Sequence, residues 1–457
     1  MVPYLAFPLL WSALAHAIPT GSQQQQQQHA ELPDLQRRST STLTVSARSN
    51  PDFVLDGPAA LAAAYERWDM PVPESLANHN MLTRREGYEC KLRPLPPLPL
   101  SVDLGTANPN SSNDFYWLTD VFVGSAMQKM PVIIDTASSD FWLMTTDTEF
   151  GDVAVNGKPA LYDPAKSASS QEVPGAVWES SYIDKSTSSG KVYFDTVGFG
   201  LVTDNNHFTI ANATIQSAVN VAPRWAIEPK ISGVMGLAKS KPSSVKPGMP
   251  SMLDRLKPAL HYEWIGIDLR ANSNKGFFSF GYALGTVETN EPPVDDDEHW
   301  SFELKGTRTS TMDSKQWNVF KKRTIATIDT GSSFVLLPGD MVAGYYAGIP
   351  DSAHDPKLKA WVFPCASAAS IPDMLFLTAG DYVGTILKES INLGPAPGSS
   401  EMCFGGIQNS ATNRSIFGGV ALKSMFVQLN YGASGTFVSF GKKSSYDVCS
   451  TTTACQS

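Results

Sequence analysis

Ile133-Ile134-Asp135-Thr136-Ala137-Ser138-Ser139 returns later in the chain, almost unchanged, as Thr327-Ile328-Asp329-Thr330-Gly331-Ser332-Ser333. Each copy follows an apolar run and precedes another, Phe141-Trp142-Leu143-Met144 in the first case and Phe334-Val335-Leu336-Leu337 in the second. At average composition an Asp-Thr-Gly/Ala-Ser-Ser string arises about once in several hundred thousand positions, so two in one chain are not chance. A second element is also duplicated: Val234-Met235-Gly236 and Ile416-Phe417-Gly418. Two related halves, each with an Asp-bearing turn and a later strand ending in Gly, predict two lobes facing one another across a cleft.

The surrounding texture is that of a mainly β protein. FYWLTDVFVG, MPVIIDT, VYFDTVGFG, FFSFG and IATIDT are short β-branched and aromatic runs broken by Gly, Pro, Asn and Ser. Helical signals are few and short, PSMLDRL (250–256) and PGDMVAGYYA (338–347) among them.

An Asp at the end of an apolar strand is costly to bury unless its charge is stabilised. A following Ala or Gly permits a tight turn that aims backbone N–H groups at the carboxylate, and the hydroxyls of Ser138 and Ser332 can donate to it. One such motif alone reads equally as an Asx turn between strands; the pair does not. If the duplication brings the carboxylates about 3 Å apart, they repel by roughly 5 kcal/mol at an effective dielectric near 20. That splits their titration by roughly four pK units, so the pair holds one proton over a wide acidic range. One carboxylate then takes a proton from water while the other donates to a carbonyl oxygen, which is general acid–base hydrolysis of an amide without a covalent intermediate.

Asp135-Thr136-Ala137-Ser138-Ser139-Asp140-Phe141-Trp142-Leu143, Ile328-Asp329-Thr330-Gly331-Ser332-Ser333 and Ser232-Gly233-Val234-Met235-Gly236-Leu237-Ala238 resemble the pepsin-like aspartic proteases, especially the fungal secreted type, from about residue 115 to 441. The resemblance implies a bilobal pepsin-like fold of two pseudo-symmetric β lobes, with Asp135 and Asp329 catalytic and an extended peptide in the cleft. Thr136 and Thr330 are expected to bond across between the two active-site loops, and Gly331 to face the substrate. A closing hairpin, the flap, is expected at Ser181–Gly190, with Tyr182 as its aromatic residue, Trp142 as that residue's partner, and Asp184 reaching the substrate backbone. Cys365 and Cys403 look like the family's C-lobe disulfide, a cross-link worth about 4 kcal/mol on a chain-entropy argument. Four departures stand out. Ile183 and Lys185 replace flap glycines, Ala137 replaces Gly, Gly419 stands where the family commonly has Asp, and the upstream segment is not clearly basic.

Upstream, MVPYLAFPLLWSALAHA (1–17) reads as a secretory signal peptide ending in the small-residue pattern Ala15-His16-Ala17. Residues 18–85 hold a Gln run and the pairs Arg37-Arg38 and Arg84-Arg85. This composition suits a pro-segment better than a packed core, with processing expected after Arg85. A Pro-rich linker or mature N-terminus (86–110) and two catalytic lobes (111–295 and 296–457) complete the expected division. Sequons at Asn110, Asn212 and Asn413 fit secretion to the extracellular space. The pairing of Cys90, Cys449 and Cys455 is open.

A net charge of −9 argues against nucleic acid as a partner, and no apolar run beyond the N-terminus is long enough to span a membrane. Asp295-Asp296-Asp297-Glu298 reads as a solvated loop, and the scattered histidines, His299 among them, as surface or hydrogen-bonded core residues. No metal-ligand spacing or cofactor motif occurs. There is no G-x-S-x-G or H-E-x-x-H, and a carboxylate-pair glycosidase would not explain the duplicated turn. The expected activity is a monomeric acid endopeptidase cutting peptides or proteins, with large apolar residues around the cut. The alternative is a binding or inhibitor protein on the same fold that has lost its activity.

Overall fold

In the computed structural model the described residues are 43–49, 57–77, 117–150, 159–181, 187–199, 208–226, 230–239, 243–260, 262–271, 276–281, 286–296, 298–412, 414–432 and 435–443. All of them lie in one unit, Thr40–Ser457. Their strands form three sheets, of thirteen, seven and four strands. The fold is mainly β, in the pepsin-like arrangement of separate sheets around two matching motifs.

The duplication is visible in how the strands pair. Strand β2 (Trp117–Val123) lies antiparallel to β3 (Gln128–Asp135), which ends at the first Asp, and β4 (Phe141–Glu149) follows the turn. Strand Gly233–Gly236 inserts between β3 and β4, parallel to the first and antiparallel to the second, with Gly236 opposite Asp135. In the seven-stranded sheet Ser415–Phe417 does the same between Asn318–Ile328 and Val335–Leu337, with Phe417 opposite Ile328. Gly236 ends the first inserted strand and Gly418 directly follows the second, for the same steric reason. A Cβ on Gly236 would meet the Ser138 carbonyl oxygen at 2.4 Å, and one on Gly418 would meet that of Ser332 at 2.4 Å.

Beneath the motifs lies a continuous apolar core that includes Ile134, Phe141, Met235, Trp300, Phe302, Ile328, Phe334 and Phe417. Phe302, Phe376 and Phe417 meet edge to face or tilted, the geometry that ring quadrupoles favour. Helix Met252–Leu256 starts at a capping box formed by Ser251 and Asp254, and Gly339–Tyr346 is helical as its pattern predicts. A disulfide joins Cys365 and Cys403.

The upstream segment differs from the expectation that it would not pack. Leu43–Ser49 is a strand (β1) inserted into the thirteen-stranded sheet, paired with Gly276–Phe280 on one side and with β2 on the other. Gly57–Arg67 is a helix (α1), and Glu74–Ala77 a single turn (α2). Pro58 sits in the first turn, and the alanine-rich run after it has the highest helix propensity available. Leu61, Ala62, Ala64, Tyr65, Met70 and Leu76 are buried in the common core.

Candidate active site

The two Asp turns meet back to back. Thr136 N–H donates to the Thr330 hydroxyl at 3.1 Å, and Thr330 N–H donates to the Thr136 hydroxyl at 3.1 Å. Each hydroxyl in turn donates at 2.7 Å to a carbonyl on the opposite strand, Thr136 to Ile328 and Thr330 to Ile134. The result is a closed, buried ring of four bonds between the residues flanking the two carboxylates.

Each carboxylate is held by its own turn in the same way. Ala137 N–H donates to Asp135 Oδ1 and Gly331 N–H to Asp329 Oδ1, both at 2.9 Å. Ser138 Oγ donates to Asp135 Oδ2, and Ser332 Oγ donates to Asp329 Oδ2 at 2.6 Å. The alanine in the first copy therefore leaves the donor in place. The glycine in the second copy has a separate steric role: a Cβ on Gly331 would lie 2.9 Å from Asp135 Cγ, so this backbone passes directly over the first carboxylate. Asp135 is 1 % exposed and Asp329 not exposed at all.

Two residues of the upstream segment, Arg67 and Trp68, fill the space in front of these carboxylates. Arg67 Nη2 pairs with Asp135 Oδ1, and Arg67 Nε lies 2.9 Å from Asp329 Oδ2. The next residue, Trp68, donates its indole N–H to Asp329 Oδ2 at 2.9 Å. Burial opposes charge on both acids. At Asp135 the charge and hydrogen bond of Arg67, with Ser138 and the Ala137 N–H, outweigh it and hold the carboxyl below its usual range. At Asp329 burial prevails, and repulsion from Asp135 adds to it, so that carboxyl is held above its usual range. One guanidinium thus spans two buried acids of unequal proton affinity.

The hairpin expected to close over this site has its base in the structure. Gln171–Ser181 pairs with Thr187–Phe199, Ser181 opposite Thr187. Ser180 donates to Asp140 at 3.2 Å, which ties the hairpin to the first motif. Tyr182, Ile183, Asp184 and Lys185 lie outside the described residues. Trp142 is buried against Trp178 and Trp225. Asn212 is exposed, whereas Asn110 and Asn413 lie outside the described residues, as do Cys90, Cys449 and Cys455.

One reading changes. Asp296 is not part of a solvated loop. It is buried and accepts from Ser301 Oγ and Arg414 Nη1, both at 2.8 Å, and from the His299 N–H at 3.0 Å, while Asp295 and Glu298 beside it are exposed. Burial works against its charge, but hydrogen bonds from His299, Ser301 and Arg414 hold it far below the ordinary range. Gly419, which stands where the family commonly has Asp, has its side-chain space taken by Trp117, whose Cζ3 would lie 2.7 Å from a Cβ there. Arg67 and Trp68 carried no motif; the available signal was the strong local helix propensity of 57–67 within a tract otherwise read as unpacked.

Comparison with known proteins points to one family. Residues 116–442 match the family profile described as eukaryotic aspartyl protease. Endothiapepsin of Cryphonectria parasitica is 30% identical over 401 residues, covering 86% of this chain and 88% of its own. Aspergillopepsin-1 of Aspergillus pseudoglaucus is 32% identical over 73% of this chain and 80% of its own. Penicillopepsin-2 of Penicillium janthinellum is 27% identical over 91% and 93%.

Proposed function

Because the chain belongs to the eukaryotic aspartyl protease family, we propose that it is a secreted acid endopeptidase that activates water between Asp135 and Asp329. The observation that carries this reading is the bridge made by Arg67: one small planar group reaches both carboxylates, so a water molecule and a peptide carbonyl can do the same. With one proton on the pair, the ionised acid removes a proton from water as its oxygen attacks the carbonyl carbon. The protonated acid donates to the carbonyl oxygen, giving a neutral tetrahedral diol. Collapse returns a proton to the nitrogen and breaks the C–N bond, restoring the pair. The back-to-back threonines fix the separation on which the shared proton depends. Closure of the hairpin with Tyr182 and Asp184 at its tip excludes water from the bound peptide.

The same bridge supports reading 18–85 as a pro-segment and the full chain as a zymogen, since Arg67 and Trp68 stand where a substrate must lie. Residues 1–17 are the export signal in this reading, and the lobes that follow 111 form the secreted enzyme. A preference for large apolar side chains at the cut follows from the family resemblance.

The test is cleavage of denatured haemoglobin from pH 2 to 7 by the wild-type chain and by Asp329→Asn. Acid cleavage that falls by a factor of about 10² to 10⁴ in the variant is the expected outcome. If the wild type fails to cut at any pH, even after cleavage at Arg85, the inactive binding protein becomes the reading.

A further inference from the structure

Trp68 does more than cap Asp329. Its ring lies 5.0 Å from the His299 ring, centroid to centroid, and the Arg414 guanidinium sits 5.3 Å from its centroid, within cation–π range. Neither partner is free to move away. Asp296 accepts from Arg414 Nη1 at 2.8 Å and contacts His299 Nδ1 at 3.2 Å. Arg414 also donates to the Thr327 hydroxyl at 3.1 Å, two residues before Asp329. Asp296 and His299 are both buried. The fold therefore maintains a rigid floor of one imidazole and one guanidinium beside the second carboxylate, and a chain segment lying in the cleft has an indole seated on it.

We propose that His299 and Arg414, anchored on Asp296, form a substrate subsite that selects an aromatic side chain at one position flanking the scissile bond, the position that Trp68 mimics in the uncut chain. This deepens the endopeptidase reading and rests on it. A flat π-face gains from the guanidinium what an aliphatic group of equal volume does not, so the selectivity comes from the ring's electrons and not from its size. The acidic Asp296 sits behind the floor with its charge already engaged by His299, Ser301 and Arg414, so it leaves Arg414 positioned without repelling the ring.

The experiment uses the full chain with Arg67→Ala and Trp68→Ala, which empties the site, and compares it with the same chain carrying Arg414→Met. Substrates are two peptides identical except for phenylalanine or cyclohexylalanine beside the cut, together with their uncleavable reduced-amide counterparts for binding. The expected result is a preference for phenylalanine of about tenfold in kcat/KM and in affinity, falling to near unity with Arg414→Met. Arg414→Lys, which keeps a charge opposite Asp296 but loses the planar face, is expected to lose the preference too and serves if the methionine variant does not fold. An unchanged preference in both variants, or none in the parent, overturns the subsite. If no protein cleaves any substrate, the endopeptidase reading fails, and the affinities of the reduced-amide pair still decide the subsite.

Discussion

At the scale of single residues, the site depends on hydroxyls and hydrogens more than on its two acids alone. Thr330→Val removes the acceptor of the Thr136 N–H and the donor to the Ile134 carbonyl, both buried. Each orphaned group costs about 1–3 kcal/mol, so urea unfolding should report a loss of that order per group, with Thr330→Ser restoring most of it. Gly419→Asp is expected to destabilise by about 1–3 kcal/mol through overpacking against Trp117. Adding Trp117→Ala should recover part of that loss, since the two positions share one volume. Much of this was legible in advance. An Asp that ends an apolar strand and is followed by Thr, a small residue and Ser states its own hydrogen-bond needs, and its repetition states the partner. Asp296 was not legible, because a run of acids reads as solvent-exposed unless the basic and hydroxyl groups that bury one member are known. Its partner Arg414 is 118 positions away.

At the scale of elements, strands and helices with a clear local pattern were readable, and pairings between distant segments were not. The capping box at Ser251 and the helix at Gly339–Tyr346 follow from neighbours in sequence. The insertion of β1 between β2 and Gly276–Phe280 has no local signature, because its partners are remote. Helix α1 delivers Arg67 at its last turn, where the guanidinium meets both acids. The sign of its pH dependence follows from Asp135. That carboxyl titrates below its unfolded value of about 3.9, so the stability contributed by the ion pair is fully present above that value and lost as pH falls through the lower folded pKa. The wild-type full chain should therefore remain inactive at pH 5 and open only in stronger acid. Arg67→Ala should cut denatured haemoglobin at pH 5 without acid pretreatment. Equal latency of the two proteins at pH 5 would show that this contact does not hold the segment shut.

At the scale of the whole molecule, the two motifs lie in different sheets yet are locked to one another by the threonine ring, so the cleft is defined by a joint and not by either sheet alone. The thirteen-stranded sheet itself draws on both ends of the chain: Phe426–Gly432 pairs with Trp264–Asp268, and Gly435–Lys442 with Thr286–Asn290. The duplication in sequence predicted matching halves. It did not predict that this sheet would be shared, because the segments that join it to the first motif's strands, β1 and the C-terminal strands, lie outside the repeated motifs.

Strand β1 has a consequence for biosynthesis. Among the described residues it is the only link in the strand order between the group containing Gly276–Phe280 and the group containing β2. A polypeptide begun at residue 86 would carry every residue of both Asp turns and still have to assemble with two open strand edges facing each other, which invites pairing between molecules. On the pro-segment reading, the upstream tract is expected to act as a chaperone built into its own client, needed while the protein is made and dispensable afterwards. Refolding from urea should give soluble monomer from the full chain and aggregate from the chain starting at 86, while a full chain folded first and then cleaved at Arg85 should stay soluble. Equal refolding yields from the two starting points would refute this division of labour between making the enzyme and keeping it.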